Sequence, residues 1–204
     1  MARFRFGKHL GSGGFGLVRS ATRMSEDGAT VVEDGLAVKS LNVEHLADED
    51  AVARFVREVR LLDEELDHAN VMPVIARNLS ASPPWFVMPY AESNLANELE
   101  AGRAGERDWV IEAFAGTLEG MAHAHDHGVL HRDLKPPNVL FCGGVPKVAD
   151  FGLGKRLDPE ATKLTKTDMW MGTEPYMAPS SSPTQSASGR PPTSTRWERC
   201  SGRC

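Results

Sequence analysis

The chain has 204 residues, 41% of them hydrophobic and 25% charged, ordinary proportions for one domain or a small two-lobed unit. Its net charge of −5, with no basic stripe, argues against a nucleic-acid binder. No uninterrupted apolar run is long enough to span a bilayer, and the opening MARFRFGKHLGSGG lacks the apolar core of a secretory signal. Cys142, Cys200 and Cys204 give no spaced framework for disulfides or zinc, so a reduced cytoplasmic setting is expected.

Residues 4–20 alternate and then turn glycine-rich, which predicts a hairpin. A polar insert, SEDGATVVEDG, leads to a short apolar strand over Leu36–Leu41. Between 48 and 66 the period changes: Val52, Phe55, Val56, Val59, Leu62 and Leu66 recur at helical spacing, with Asp48 or Asp50 as N-cap. VMPVIA and WFVMPY then read as two further strands.

From Ser93 onward the chain turns helical. SNLANELEAG predicts a short helix capped by Ser93 and stopped by Gly102. A longer helix is expected over Glu106–His127, with Trp109, Val110, Ala113, Phe114, Leu118 and Met121 on one face and Gly128 at its end. Strands first and helices afterwards imply an α+β pair of lobes. After Pro179 the sequence is polar and aperiodic, and its composition is that of a disordered segment.

Gly11-Ser12-Gly13-Gly14-Phe15-Gly16-Leu17-Val18 fits G-x-G-x-x-G-x-V between two strands. Glycine lets a backbone approach phosphate oxygens and adopt positive φ without steric cost. The same glycine triplet opens Rossmann dinucleotide sites, where strand runs into helix; here Leu17–Ala21 continues as strand. Alone, the pattern reads first as a glycine-rich hairpin turn.

The next motifs are more specific. His131-Arg132-Asp133-Leu134-Lys135-Pro136-Pro137-Asn138 matches a kinase catalytic loop, and Asp150-Phe151-Gly152 follows in order. Over residues 4–179 the chain resembles the protein kinases, particularly bacterial Ser/Thr kinases of the eukaryotic type. The resemblance implies a two-lobed fold, with a small antiparallel-sheet N-lobe plus one helix over 1–90. A partial, mainly helical C-lobe would follow over 91–179. It also implies ATP and Mg2+ as cofactors and protein Ser/Thr hydroxyls as acceptors, with no nucleic-acid partner.

Residue roles follow from the same resemblance. Asp150 and Asn138 would hold the metal, their oxygens being hard ligands suited to magnesium. Asp133 would accept the proton of the attacking hydroxyl, and Lys135 would sit near the γ-phosphate. Lys39 would bind the α- and β-phosphates. Its carboxylate partner is expected to be Glu58, mid-helix, because Glu49 lies too near the helix start and Glu64 and Glu65 too near its end. Val18, Ala37 and Leu140 would enclose adenine, Met88 would be the gatekeeper, and the Pro89 carbonyl and Ala91 amide would face the base. Proline keeps a carbonyl, so Pro89 is chemically tolerable where the family has an acidic residue.

Taken singly, these residues have plainer readings as a surface lysine, a solvated glutamate or a chance tripeptide; their joint order does not. The segment Asp150–Pro179 reads as an activation segment closing on Gly172-Thr173-Glu174-Pro175-Tyr176-Met177-Ala178-Pro179. Arg132 marks the class switched by loop phosphorylation, with Thr162, Thr165 and Thr167 as candidates. His123, His125, His127 and His131 resemble a metal cluster, but helix residues two apart point to nearly opposite sides and cannot converge on one ion. A non-catalytic nucleotide-binding or interaction module and a small-molecule kinase are the competing functions.

The family reads A-P-E where Ala178-Pro179 is followed here by Ser180. Arg190–Cys204, back-translated with permitted codons and read two nucleotides later, gives AADIYSLGKVLWEM, very like the next kinase helix. Residues 180–204 are therefore expected to be an out-of-frame translation, and the chain as written to lack activity.

Overall fold

The computed structural model describes residues 3–12, 16–151 and 155–156. Gly13, Gly14 and Phe15, Gly152, the three threonines, the Gly172–Pro179 segment and residues 180–204 lie outside the described residues.

Strands β1 (Arg3–Ser12), β2 (Gly16–Met24) and β3 (Val31–Leu41) form an antiparallel meander. With β4 (Ala76–Asn78) and β5 (Trp85–Pro89) they make a five-stranded sheet of order β1-β2-β3-β5-β4. Strand β3 begins earlier than its apolar stretch suggests, because Val31 pairs with Met24 and Glu33 with Arg23. Val31 and Val32 are exposed, and Gly35 takes φ 66° just ahead of the apolar half. The expected strand over VMPVIA does not form. Val71 makes an isolated parallel bridge to Val148, and regular pairing resumes only at Ala76; Pro73, with no N–H, cannot serve a ladder between them.

Helix α1 (Glu49–Glu64) is capped by Asp48, whose side chain accepts from the Asp50 and Ala51 N–H groups. Its buried residues Ala51, Phe55, Glu58, Val59 and Leu62 form one stripe, as the periodicity requires. Two of the three buried clusters meet on this stripe. Phe55 and Val59 pack with Ala37, Leu41, Phe86 and Met88 beneath the sheet. Leu62 packs with Leu66, Val71, Met121, Ala124, Val148 and Phe151 below it.

After β6 (Ser93–Asn94), the short helix α2 (Leu95–Glu100) is capped by Asn94, not Ser93: the Asn94 side chain accepts from Asn97 N–H, while Ser93 pairs with Phe141 in a small sheet. Gly102 follows with φ 91°. Helix α3 (Arg107–Asp126) ends before Gly128, which takes φ 71°. Its buried face differs from the expected stripe. Ala113, Gly116, Gly120, Met121 and Ala124 are buried, whereas Val110, Ile111, Phe114 and Leu118 are exposed. The face that packs is the one with small residues, because the α1–β4 loop approaches it closely. Short strands β7 (Val129–Leu130), β8 (Val139–Cys142), β9 (Val145–Val148) and β10 (Lys155–Arg156) complete the described fold.

Candidate active site

A cleft of about 580 Å³ opens between the sheet and the β8–β9 hairpin, a size suited to a small-molecule ligand. Antiparallel register sets its roof. Lys39 lies opposite Val18 on one side and Phe86 on the other, and Ala37, two residues away on the same face, lies opposite Met88. Val18 and Leu140 pack on the cluster containing Ala37 and Met88, so the expected adenine-pocket residues come together. A Cβ on Gly16 would stand only 3.1 Å from Lys39 Cε, so this glycine makes room for the lysine stem. Gly11 pairs with Val18, and Ser12 closes the strand against Leu17.

Glu58 is the acidic residue that α1 presents to Lys39. Lys39 Nζ lies 3.4 Å from Glu58 Oε1 and also contacts Asp150 Oδ1. Burial alone would lower the ammonium, but the Glu58 and Asp150 carboxylates outweigh it and hold Lys39 above its ordinary value. Burial pushes the Glu58 carboxyl upward, Lys39 opposes that push, and Asp150 adds to it. Lys39, against burial, holds the Asp150 carboxyl below the usual carboxylate range.

The catalytic loop is held by its own polar atoms. His131, 2% exposed, accepts from Asp133 N–H through Nδ1 at 3.3 Å and donates from Nε2 to the Ala149 carbonyl at 2.9 Å. That bond ties the loop to the residue before Asp150. Burial depresses the His131 pKa, favouring the neutral ring these bonds require. Lys135 Nζ lies 2.7 Å from Asp133 Oδ2. Asn138 donates from Nδ2 to the Asp133 carbonyl at 2.9 Å, and its own carbonyl accepts from Ala149 N–H at 2.9 Å. With its amide nitrogen engaged by Asp133, Asn138 keeps its side-chain oxygen as a hard donor, and it lines the same cleft as the Asp150 carboxylate. This donor set fits magnesium. Arg132 and Asp150 both take positive φ, 65° and 62°, uncommon for residues with a Cβ.

At the cleft rim, Pro89 ends β5 opposite Leu36, and Tyr90 N–H donates to the Gly35 carbonyl. Pro89 thus has a structural partner in the sheet without needing an N–H, and Ala91 follows beyond the strand. Sequence reasoning missed the loop residue Asn70, whose side chain donates to the Pro146 carbonyl at 2.9 Å and whose carbonyl accepts from Val148 N–H at 2.8 Å. These bonds fix β9, which leads directly to Asp150. The signal was a single polar residue ahead of an apolar run, too local to mark a bridge across the molecule.

The protein kinase domain family matches residues 4–189, and the chain belongs to that family. It is 35% identical over 180 residues to the probable serine/threonine-protein kinase PknB of Lactococcus lactis, covering 87% of this chain and 27% of that protein. It is 35% identical over 155 residues to the DNA damage-responsive serine/threonine-protein kinase RqkA of Deinococcus radiodurans, covering 72% and 23%. Against the serine/threonine-protein kinase AfsK of Streptomyces coelicolor, identity is 33% over 174 residues, covering 83% and 20%. The chain thus spans about a fifth to a quarter of the length of these three relatives. The fold agrees with the family: a five-stranded antiparallel sheet with one long helix, above a smaller helical part. Among the described residues, no helix is long and apolar enough to cross a membrane.

Proposed function

We propose that the protein to which this chain belongs is a Ser/Thr protein kinase using ATP and magnesium. The observation that supports it best is the convergence of Lys39, Glu58, Asp133, Lys135, Asn138 and Asp150 on one cleft. Residues far apart in sequence, with the family's chemistry, meet around one space.

In this reading Lys39, kept charged by Glu58, orients the α- and β-phosphates. Val18, Ala37, Met88 and Leu140 enclose the base, and Pro89 and Ala91 offer it a carbonyl and an amide. Asn138 and Asp150 would hold magnesium, which would supply charge neutralisation on the phosphates. Asp133 orients the acceptor hydroxyl and takes its proton. The hydroxyl oxygen bonds to the γ-phosphorus as the bond to the bridging oxygen breaks and ADP leaves. Lys135, ion-paired with Asp133, offers positive charge to the transferred group. Residues 1–90 and 91–179 are the two lobes, and Thr162, Thr165 and Thr167 are the candidate regulatory phosphosites. The free thiol of Cys142 suits a reducing cytoplasm.

The test is ATP-dependent phosphorylation by the purified whole protein, offered a generic Ser/Thr protein substrate and, separately, small hydroxyl compounds. Transfer to protein with Lys39→Met inactive supports the reading. Transfer only to small molecules, or nucleotide binding with no transfer, overturns it.

A further inference from the structure

Outside the cleft, three imidazoles meet where the loop after α1 touches the end of α3. His68 stacks on His123 with ring centroids 4.9 Å apart and planes at 23°. His123 meets His127, one helical turn on, at 4.3 Å and 44°. Helix neighbours two apart point to nearly opposite sides, but His123 and His127 are four apart and share a face, while His68 arrives from outside the helix. A metal is still a poor occupant. Imidazole lone pairs lie in the ring plane, so stacked rings cannot aim at one ion, and among the described residues no group of three ligands is arranged to hold one.

The hydrogen bonds determine what a proton would do here. His127 Nδ1 donates to the His123 carbonyl at 2.8 Å, and His68 Nδ1 accepts from Asn70 N–H at 3.1 Å. The central ring differs, because His123 Nε2 is buried without a hydrogen-bond partner. A bare nitrogen tolerates that position; a charged N–H there would be buried with no acceptor, between two other imidazoles. Asn70 is the pin of this junction, bonded to Pro146 and Val148 and seated against Gly116 and Gly120.

We propose that the His68–His123–His127 stack is an acid-sensitive latch: with His123 neutral it clamps residues 65–70 onto α3, and a proton on His123 releases that loop and the end of α1 with it. The charged groups facing His123 are Asp67, beside His68 in the loop, and Asp126, beside His127 on α3. Both aspartates favour the protonated ring, but burial first, then His127 and His68, outweigh them and depress its pKa. A group depressed in the folded state stabilises fully above its ordinary value of 6.5, and that contribution is lost as pH falls below it. The latch does not depend on the transfer reaction, so its test reads stability alone.

The experiment compares thermal unfolding of the full chain at pH about 7.5 and about 5.5, a window that histidine titration spans. His131 is also buried and titrates in the same direction, so the comparison is made between variants. His123→Phe keeps a stacking ring that cannot be protonated, and should shrink the acid-induced drop in Tm by about 3 °C. His127→Phe, at the exposed end of the stack, should remove part of that drop, and His125→Phe, exposed on α3 outside the stack, should leave it unchanged. The same acid-induced drop in the parent chain, His123→Phe and His127→Phe overturns the latch. If His123→Phe does not fold, the His127→Phe comparison decides alone.

Discussion

Gly120 of α3 leaves the space that the Asn70 carbonyl fills. A Cβ built on Gly120 would stand 3.1 Å from the Asn70 carbonyl carbon and 3.3 Å from its Cβ, and would overlap the carbonyl oxygen. In an open helix, alanine would gain about 1 kcal/mol over glycine. Here the neighbour is backbone, pinned by its bonds to β9, and cannot swing aside. Gly120→Ala should therefore destabilise the chain by about 1–3 kcal/mol. Urea unfolding checks this, as a lower midpoint with an unchanged slope.

Asp133→Asn, in a complete domain, should leave ATP affinity nearly intact while lowering phosphoryl transfer by at least about 100-fold. Asp133 meets Lys135 in its own loop, whereas Lys39 lines the sheet side of the cleft, where the proposal places the nucleotide. Calorimetric nucleotide titration beside a transfer assay separates the two effects, and unchanged turnover would sink the assignment.

Removing the cation from the buried pair has a pH signature. In Lys39→Met, nothing opposes the burial that already raises the Glu58 carboxyl. A carboxyl raised on folding stabilises below its ordinary value of 4.5, and the contribution is lost as pH rises toward the folded value. Stability of the variant should fall by about 1.4 kcal/mol per pH unit across that window. The parent, with Glu58 paired to Lys39, should show a shallower decline. Denaturant unfolding between pH about 4.5 and about 7.5 measures both slopes; equal slopes would mean Lys39 does not hold the Glu58 charge.

The exposed stripe Val110, Ile111, Phe114 and Leu118 on α3 suits a partner helix with an apolar face. Residues 180–204 offer little of that kind, whereas the alternative reading of Arg190–Cys204, AADIYSLGKVLWEM, does. The proposal that this segment is out of frame predicts genomic DNA encoding a kinase-like continuation in the other frame. DNA with no such continuation would refute it.

Much of the site was legible because its residues announce themselves locally. Lys39 sits in an apolar strand, Glu58 on a helical stripe, and His131–Asn138 in an ordered motif. What escaped was decided by distant approach. The start of β3 was hidden because Val31–Asp34 pair while remaining largely solvent-facing. The packing face of α3 was misjudged because Gly116 and Gly120 outrank Phe114 and Leu118 where a backbone must come close. His68 and His123 lie in separate elements, and no periodicity links them.

Arg132 and Asp150 set chemistry and backbone preference against each other. Each carries a charged side chain at a φ that glycine, and to a lesser degree asparagine, would accept at lower conformational cost. Selection for stability alone would steer both positions toward those residues; selection for phosphate and metal contacts would hold them where they are. In a library screened only for a folded, well-expressed product, the substitutions that accumulate at these two positions would report whether the charged side chains carry any structural weight apart from their chemistry.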